Sequence, residues 1–557
     1  MNISSFDIFD TCLVRTCGTP ENFFDVLAYR VFDGDVDDYV RTQFIIARRR
    51  CELSISKTDP FFDIYSIYNS LDFRHDKLKE ISLLPEIEMQ LEKELLRPVL
   101  KTKELIKTER KKGRCIIFIS DMYLHSDFLI PVLKQFEMFE DGDRLYISSE
   151  KGAVKYGGGL YRLIQRELNI PYKKWKHFGD KNDSDYNAPR ELGIKAHRIV
   201  LHYQPYSQKW KEEDYSICYK YASIAAGISR ALYHSEPDNT HKGIVLDLIA
   251  PFYCSYVYRV MKDAKKKGFN KLYFCARDAI YFFHIAEQLQ PLFPEITIKY
   301  LLISRDALYN SDPNTVLEYM KQEGLAGKNS NNAIVDTTTS GKTIYYLNAL
   351  FEKNGFPSIY GYYLFHWDDS KRNEELCDTL FQSEIRETNI FNNSKYAFLC
   401  HNFYIFENFF SLNSNKHLSG YEQIGSIINP VYDDDTTSEE CSINDVEKWA
   451  VIHNDLISKF TSEFIKTRLY NKSEELFNLV FSSILSFFRF PEKEYLSAFL
   501  TFSSFFSNKP VIKKCRLAHL LLYKGKDTEW PIATKIFNLP KQISFFIKMR
   551  YRNKNLL

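Results

Sequence analysis

Short apolar runs that end in polar residues recur through the first two hundred positions of the chain, and they set the expected fold. The opening stretch Ile3-Ser-Ser-Phe-Asp7-Ile-Phe-Asp10-Thr11 reads as a strand closing in carboxylates. Cys115-Ile-Ile-Phe-Ile-Ser120-Asp121 reads as a buried strand closing in a hydroxyl. Leu145-Tyr-Ile-Ser148-Ser149 precedes Lys155 and a helix-like run over 160–167, and His177-Phe-Gly179-Asp180 opens onto Asp185. Between the first two runs, helical periodicity occupies 41–53, 63–71 and 87–96. Strands alternating with helices predict a parallel sheet, and such sheets take ligands outside the carboxyl ends of their strands, where these polar residues fall.

The rhythm pauses at a polar, Tyr-rich stretch, 202–242, expected to be a linker, and then resumes. Residues 271–276 form an apolar run leading into Arg277-Asp278, and 298–303 lead into Ser304-Arg305-Asp306. Residues 333–335 lead into Asp336-Thr-Thr-Thr-Ser340-Gly341-Lys342-Thr343, and 358–364 form a further strand. Beyond about residue 372 the chain turns helical and aromatic, notably over 403–410, 456–470 and 476–490. The acidic run Asp433-Asp434-Asp435 is expected to be a solvated turn rather than a metal site. The last residues, 541–557, mix apolar and basic side chains with no acid, a pattern that suits peripheral contact with an anionic membrane or a disordered end.

At 557 residues the chain is too long for one core. Hydrophobic and charged contents of 45% and 26% are ordinary globular values, so only the aromatic share of 15% stands out; it points to bulky cores. A net charge of +2 gives no global field for nucleic acid, and no nucleic-acid partner is expected. The 11 cysteines are scattered without a CxxC pair, which favours a reducing, cytoplasmic setting over a disulfide framework. No signal peptide is expected, because Asp7 and Asp10 break the first apolar run, and no run reaches the ~20 apolar residues of a membrane span.

Asp7…Thr11, Ser120, Lys155 and Gly179-Asp180…Asp185, in this order, resemble the four signature motifs of the haloacid dehalogenase (HAD) superfamily. The resemblance implies an α/β, Rossmann-like parallel-sheet core with an inserted helical cap. Asp7 would be the nucleophile that forms an aspartyl-phosphate. Mg²⁺ would be held by Asp7, Asp180, the Phe9 carbonyl oxygen and waters, with Asp185 supporting the metal shell or orienting Lys155. Ser120, with Asp121 beside it, and Lys155 would hold the phosphoryl group. Lys151 competes with Lys155 for that place, but the spacing of Lys155 before Gly157 fits the family pattern better. One departure stands out: phosphatases of the superfamily carry a general-acid Asp two residues after the nucleophile, where this chain has Phe9. Asp10 is the candidate replacement, unless the leaving group needs no acid.

The expected organisation is a hydrolase domain over 1–201 (core 1–16 and 113–201, cap 17–112), a linker over 202–242, a second α/β domain over 243–371 and a helical, aromatic-rich region over 372–557. Within the cap, Arg48-Arg49-Arg50 is expected on a solvated helix face, with lining of the pocket against an anionic substrate as the alternative. In the second domain a Walker loop is excluded, because Asp336 stands where it needs Gly. The loop is closer to the ribose-phosphate loop of phosphoribosyltransferases, although Val335 replaces one expected acid. Arg277, Asp278, Arg305 and Ser340-Gly341-Lys342-Thr343 are candidate substrate-binding residues there, with a plain helix-capping turn as the alternative. The pairing of the two halves resembles large proteins encoded in bacterial capsule and lipopolysaccharide loci. The expected function is a Mg²⁺-dependent phosphohydrolase or phosphotransferase acting on a sugar phosphate or similar small metabolite. The alternatives are a transferase centred on the second domain and a retired scaffold.

Overall fold

The computed structural model describes residues 2–213, 220–328, 331–339, 342–366, 409–412, 416–432 and 440–489, with positions 492 and 495. Ser340, Gly341, residues 403–408, Asp433 to Asp435 and the basic tail lie outside the described residues. The fold is α/β, with two parallel sheets and a helical C-terminal region. The chain divides into two compact units, the first running to Asp238 and including the segment Lys466–Leu469.

The strands of the first unit are β1 (Ile3–Asp7), β2 (Leu13–Arg15), β3 (Leu96–Pro98), β4 (Cys115–Ser120), β5 (Arg144–Ile147), β6 (Trp175–Gly179) and β7 (Lys195–Arg198). Five of them make one parallel sheet in the order β5-β4-β1-β6-β7, which places β1 at its centre. Alternation along β4 feeds two cores. Ile116 and Phe118 pack with Phe6 and with Leu129, Val132 and Leu133 of the helix Ser126–Gln135. Ile117 and Ile119 pack with Ile3 and with Leu160, Tyr161 and Ile164 of the helix Gly159–Leu168. Such two-sided burial explains why the central strands read as continuous apolar runs.

β2 and β3 form a small antiparallel ribbon, and the expected helical insertion lies between them. Its helices are Pro20–Leu27, Asp38–Thr58, Ile64–Asn69 and Leu84–Leu95. The next helix, Leu100–Lys111, buries Ile106 against Ile116 and Phe118, so it belongs to the sheet layer and the insertion ends before β3 rather than at 112. The arginine run neither forms a solvated face as a whole nor lines the pocket as a block. Arg48 is fully buried, its Nε and Nη2 donating to Glu88 at 3.0 and 2.7 Å and its Nη1 to Glu52 at 3.0 Å. Arg49 is half exposed and faces Glu21. A buried guanidinium is tolerable here because paired carboxylates answer it from two helices.

The stretch expected as a linker is structured. It carries the helices Pro205–Glu213 and Tyr221–Ser235 and falls in the first unit as far as Asp238. Tyr and Pro gave it the composition of a connector, yet Ile224, Ala225, Ala226, Ile228, Ala231 and Leu232 are all buried. Contact with the ribbon end is close: a Cβ on Gly227 would stand 2.3 Å from the Gly18 nitrogen. Asn22 donates from Nδ2 to Ser223 Oγ at 2.8 Å beside it.

The second unit contains β8 (Lys271–Cys275), β9 (Thr297–Leu301), β10 (Asn332–Thr339) and β11 (Tyr360–His366), all parallel, in the order β11-β10-β8-β9. A hairpin of β12 (Leu418–Ile424) and β13 (Ile427–Tyr432) lies where only helix was expected. The helices Glu440–Lys466 and Ser473–Arg489 follow. One described helix, Lys242–Lys266, is long and apolar enough to cross a membrane, but 89% of its apolar window is buried inside the structure, as in a core helix.

Replacing Gly227 by Val should force the helix Tyr221–Ser235 away from Gly18. Overpacking of this kind costs about 1–3 kcal/mol, measurable as a lower midpoint in urea unfolding.

Candidate active site

The sheet itself assembles the polar residues. In register, Asp7 pairs with Ile119, so Ser120 follows one step beyond it on β4. Phe6 pairs with Phe178 on the other side, which puts Gly179 and then Asp180 at the same end. Past Asp180 the chain makes a helical turn over Asn182–Asn187 and folds back on the strand. Glycine at 179 permits this, because a Cβ there would lie 2.5 Å from the Asp185 Cβ.

Lys155 reaches into this end from the segment after β5. Its Nζ donates to Asp7 Oδ1 at 2.5 Å and to Asp185 Oδ1 at 2.7 Å, and all three side chains are buried. Its backbone N–H is gripped by both carboxylate oxygens of Asp121, at 3.0 and 3.1 Å. Lys151 instead pairs loosely with Glu167 at 3.4 Å. Beneath Asp185 runs a chain that sequence reading did not find. His177 Nε2 lies 3.2 Å from Asp185 Oδ1, His177 Nδ1 lies 2.7 Å from Ser5 Oγ, and Trp175 Nε1 donates to Ser5 Oγ at 2.7 Å. An ionised carboxylate only accepts, so the Nε2–H form of His177 satisfies it, leaving Nδ1 to accept from Ser5.

Charges follow from this arrangement. Burial would strip Lys155 of its proton, but Asp7 and Asp185 outweigh it and push its pKa up. Burial would likewise raise Asp185, yet the His177 hydrogen bond and Lys155 hold it well below the usual carboxylate range. Burial pushes Asp7 upward against the pull of Lys155. Asp180 is pushed up to about 7 by burial and by the neighbouring Asp7, Asp10 and Asp185 charges. Carboxylate oxygens of Asp7, Asp180 and Asp185 all lie within 4.8 Å of one another, and Asp180 Oδ1 is buried without a hydrogen-bond partner. An all-oxygen cluster with an unsatisfied buried carboxylate fits a hard divalent cation such as Mg²⁺.

A cavity of about 270 Å³ opens over Asp7, and Ser120, Asp121 and Lys155 line it. Asp10 lines it too, in a left-handed conformation (φ 56°), and its Oδ1 accepts from Arg230 of the helix Tyr221–Ser235. Thr11 is fully buried beneath. Arg15, Glu92, Tyr123 and Lys181 also face the cavity, and sequence reading passed over all four. The residues Phe9, Phe23 and Phe24 supply its apolar wall.

No known protein family matches this sequence, and no curated protein does. In structure, 36% of the chain is similar to several HAD hydrolases. One is 2-haloacid dehalogenase from Pseudomonas syringae (13% identity, 86% of that chain covered, TM-score 0.26). Another is a HAD-family enzyme from Bacteroides thetaiotaomicron in complex with magnesium and inorganic phosphate (11%, 94%, 0.24). A third is a HAD-family hydrolase from Deinococcus radiodurans with bound phosphate and sodium (14%, 81%, 0.22).

The candidates of the second unit sit at strand ends, as expected of polar loops. Arg277 and Asp278 follow β8, with Arg277 Nε 3.5 Å from Asp278 Oδ1. Arg305 opens a helix capped by Ser304, whose hydroxyl accepts from the Ala307 N–H. Lys342 and Thr343 begin the helix Lys342–Lys353.

Proton competition gives a test of the cation cluster. With Asp180 titrating near 7, Mg²⁺ must displace a proton below that pH and none above it. Apparent Mg²⁺ affinity should therefore rise about tenfold between pH 6 and pH 8, read by calorimetry, and Asp180→Asn should flatten the dependence. An unchanged affinity would remove Asp180 from the ligand set.

Proposed function

We propose that the first unit is a HAD-type, Mg²⁺-dependent phosphohydrolase or phosphotransferase. Asp7 would attack the phosphorus of a small phosphorylated metabolite and carry the phosphoryl group as an aspartyl-phosphate. The observation that carries this reading is the Lys155 ammonium, buried and bonded to both Asp7 and Asp185 at the mouth of the cavity.

Each residue has a task that follows from its contacts. Asp7 ends the central strand, so its carboxylate is fixed by the sheet rather than by a loop. Lys155 supplies a positive charge that stays in place while the phosphoryl oxygens arrive, and Ser120 adds a hydroxyl donor from the neighbouring strand. Asp121 anchors the Lys155 backbone, and the chain from Trp175 through Ser5 and His177 keeps Asp185 directed at the ammonium. Asp7, Asp180 and the Phe9 carbonyl would hold Mg²⁺, with Asp185 in support. When bound, the cation neutralises the carboxylates and the incoming phosphate, so that like charges meet without repulsion. Cys12, Cys17, Cys51, Cys115, Cys254 and Cys275 are free, which suits a reducing compartment. A role in surface-polysaccharide assembly is the setting favoured by the sequence resemblance.

A second reading places a phosphate- or sugar-phosphate-binding transferase site in the second unit. It is favoured by topology: the chain runs from β8 to β9 and returns to β10 on the other side of β8. Crevices at such a reversal commonly take ligands, and Arg277, Asp278, Lys342 and Thr343 leave the sheet there. Arg305, and Ser340 and Gly341 by sequence, would complete that site.

Asp7→Asn in the full-length protein decides between the two. With Mg²⁺ and a panel of phosphorylated metabolites, phosphate release should fall by on the order of 10³-fold or more. Activity that survives Asp7→Asn would transfer the chemistry to the second unit.

A further inference from the structure

We propose that Arg15 forms the leaving-group subsite of this active site, in place of a proton donor, and that the substrate is accordingly a phosphoric anhydride or acyl phosphate. The inference rests on the phosphohydrolase reading and adds the substrate class to it.

Arg15 ends β2 and is only 8% exposed. Its Nε donates to Glu92 Oε1 at 2.7 Å, and its guanidinium carbon lies 4.4 Å from the centre of the Phe9 ring. That accounts for one donor and one face of the group. The terminal nitrogens make no other hydrogen bond among the described residues, and they are not among the buried atoms lacking a partner. They are therefore open to the cavity that Arg15 shares with Asp7, Ser120 and Lys155. A guanidinium locked by a carboxylate on one edge and an aromatic ring on one face presents its remaining N–H groups in a fixed direction. Glu92 and Phe9 are thus positioning residues for Arg15.

Phe9 has no proton to give, and it supports Arg15 instead. Asp10 turns its Oδ1 to Arg230. An arginine cannot act as an acid, but it can donate hydrogen bonds to an oxygen on which charge accumulates. The step then balances without a proton. An Asp7 oxygen forms a bond to phosphorus, and the bond from phosphorus to the leaving oxygen breaks with its electron pair remaining on that oxygen. The departing oxyanion accepts from the Arg15 terminal nitrogens. Water later cleaves the aspartyl-phosphate, restoring the Asp7 carboxylate, releasing inorganic phosphate and passing its proton to solvent. Such a site serves leaving groups of low basicity, namely phosphate or carboxylate, and serves alkoxides poorly.

Full-length protein with Mg²⁺ can be assayed on two groups of compounds. Acetyl phosphate and a nucleoside diphosphate form the first, and glycerol 3-phosphate and a hexose 6-phosphate form the second. The first group should exceed the second by roughly 10³-fold in kcat/KM, and a series of aryl phosphates should slow steadily as the phenol becomes more basic. Arg15→Lys keeps a cation opposite Glu92 but removes the fork. It should lower kcat on the anhydrides by about 10²-fold, with little change in KM. Far-ultraviolet circular dichroism checks that the variant is folded, and the wild-type comparison stands without it. Asp7-dependent turnover of both groups within tenfold of each other overturns the proposal alone. Failure to turn over any of these compounds overturns the phosphohydrolase reading with it.

Discussion

The Lys155 ammonium sits between the carboxylates of Asp7 and Asp185, out of water, and the geometry of the candidate site follows from that placement. An ammonium so buried is tolerated only when its donors are met and opposite charge is near. Two carboxylates from separate segments, and a third that grips the lysine's own backbone, meet this demand. The carboxylates in turn are crowded beyond what one cation neutralises. The excess falls on Asp180, pushed up to about 7, and that excess is what a divalent ion would relieve. Stability of the apo site and affinity for the metal are two expressions of the same imbalance.

What the sequence made legible was whatever lies at the end of a strand. Asp7, Ser120 and Asp180 each close an apolar run, and the parallel register brings such ends to one level. Lys155 was recognisable only through its place in an ordered set of motifs, since a lone lysine carries no pattern. Pairings between residues distant in the chain left no trace. Arg15 and Glu92 stand 77 positions apart, and Arg48 meets Glu88 across 40. His177 was within view, adjacent to a recognised motif, but its role depends on Ser5 and Trp175, and no periodicity links those three. In the helix Tyr221–Ser235 composition and pattern point apart: the flanking Tyr and Pro are those of a connector, while the small apolar residues at close spacing are those of a buried helix. In the second half the four strands were legible as runs, whereas the hairpin over β12 and β13, with polar residues on both faces, was not.

The first unit also shows how side chains distant in sequence fix one charge beside the cavity. Phe9, two places beyond Asp7, carries the Arg15 guanidinium over its ring face. Glu92, from the inserted helices, fixes the same group from the side, so the insertion and the core jointly define the cavity. The inserted helices thereby contribute charge placement to the cavity.

Identifying the phosphorylated residue itself reaches the centre of this account. Acid quenching of the protein during turnover, followed by borohydride reduction, converts an acyl-phosphorylated aspartate to homoserine, which mass spectrometry locates in the chain. Homoserine is expected at position 7 and at no other aspartate. Steady phosphate release with position 7 still aspartate, or with homoserine elsewhere, would contradict it.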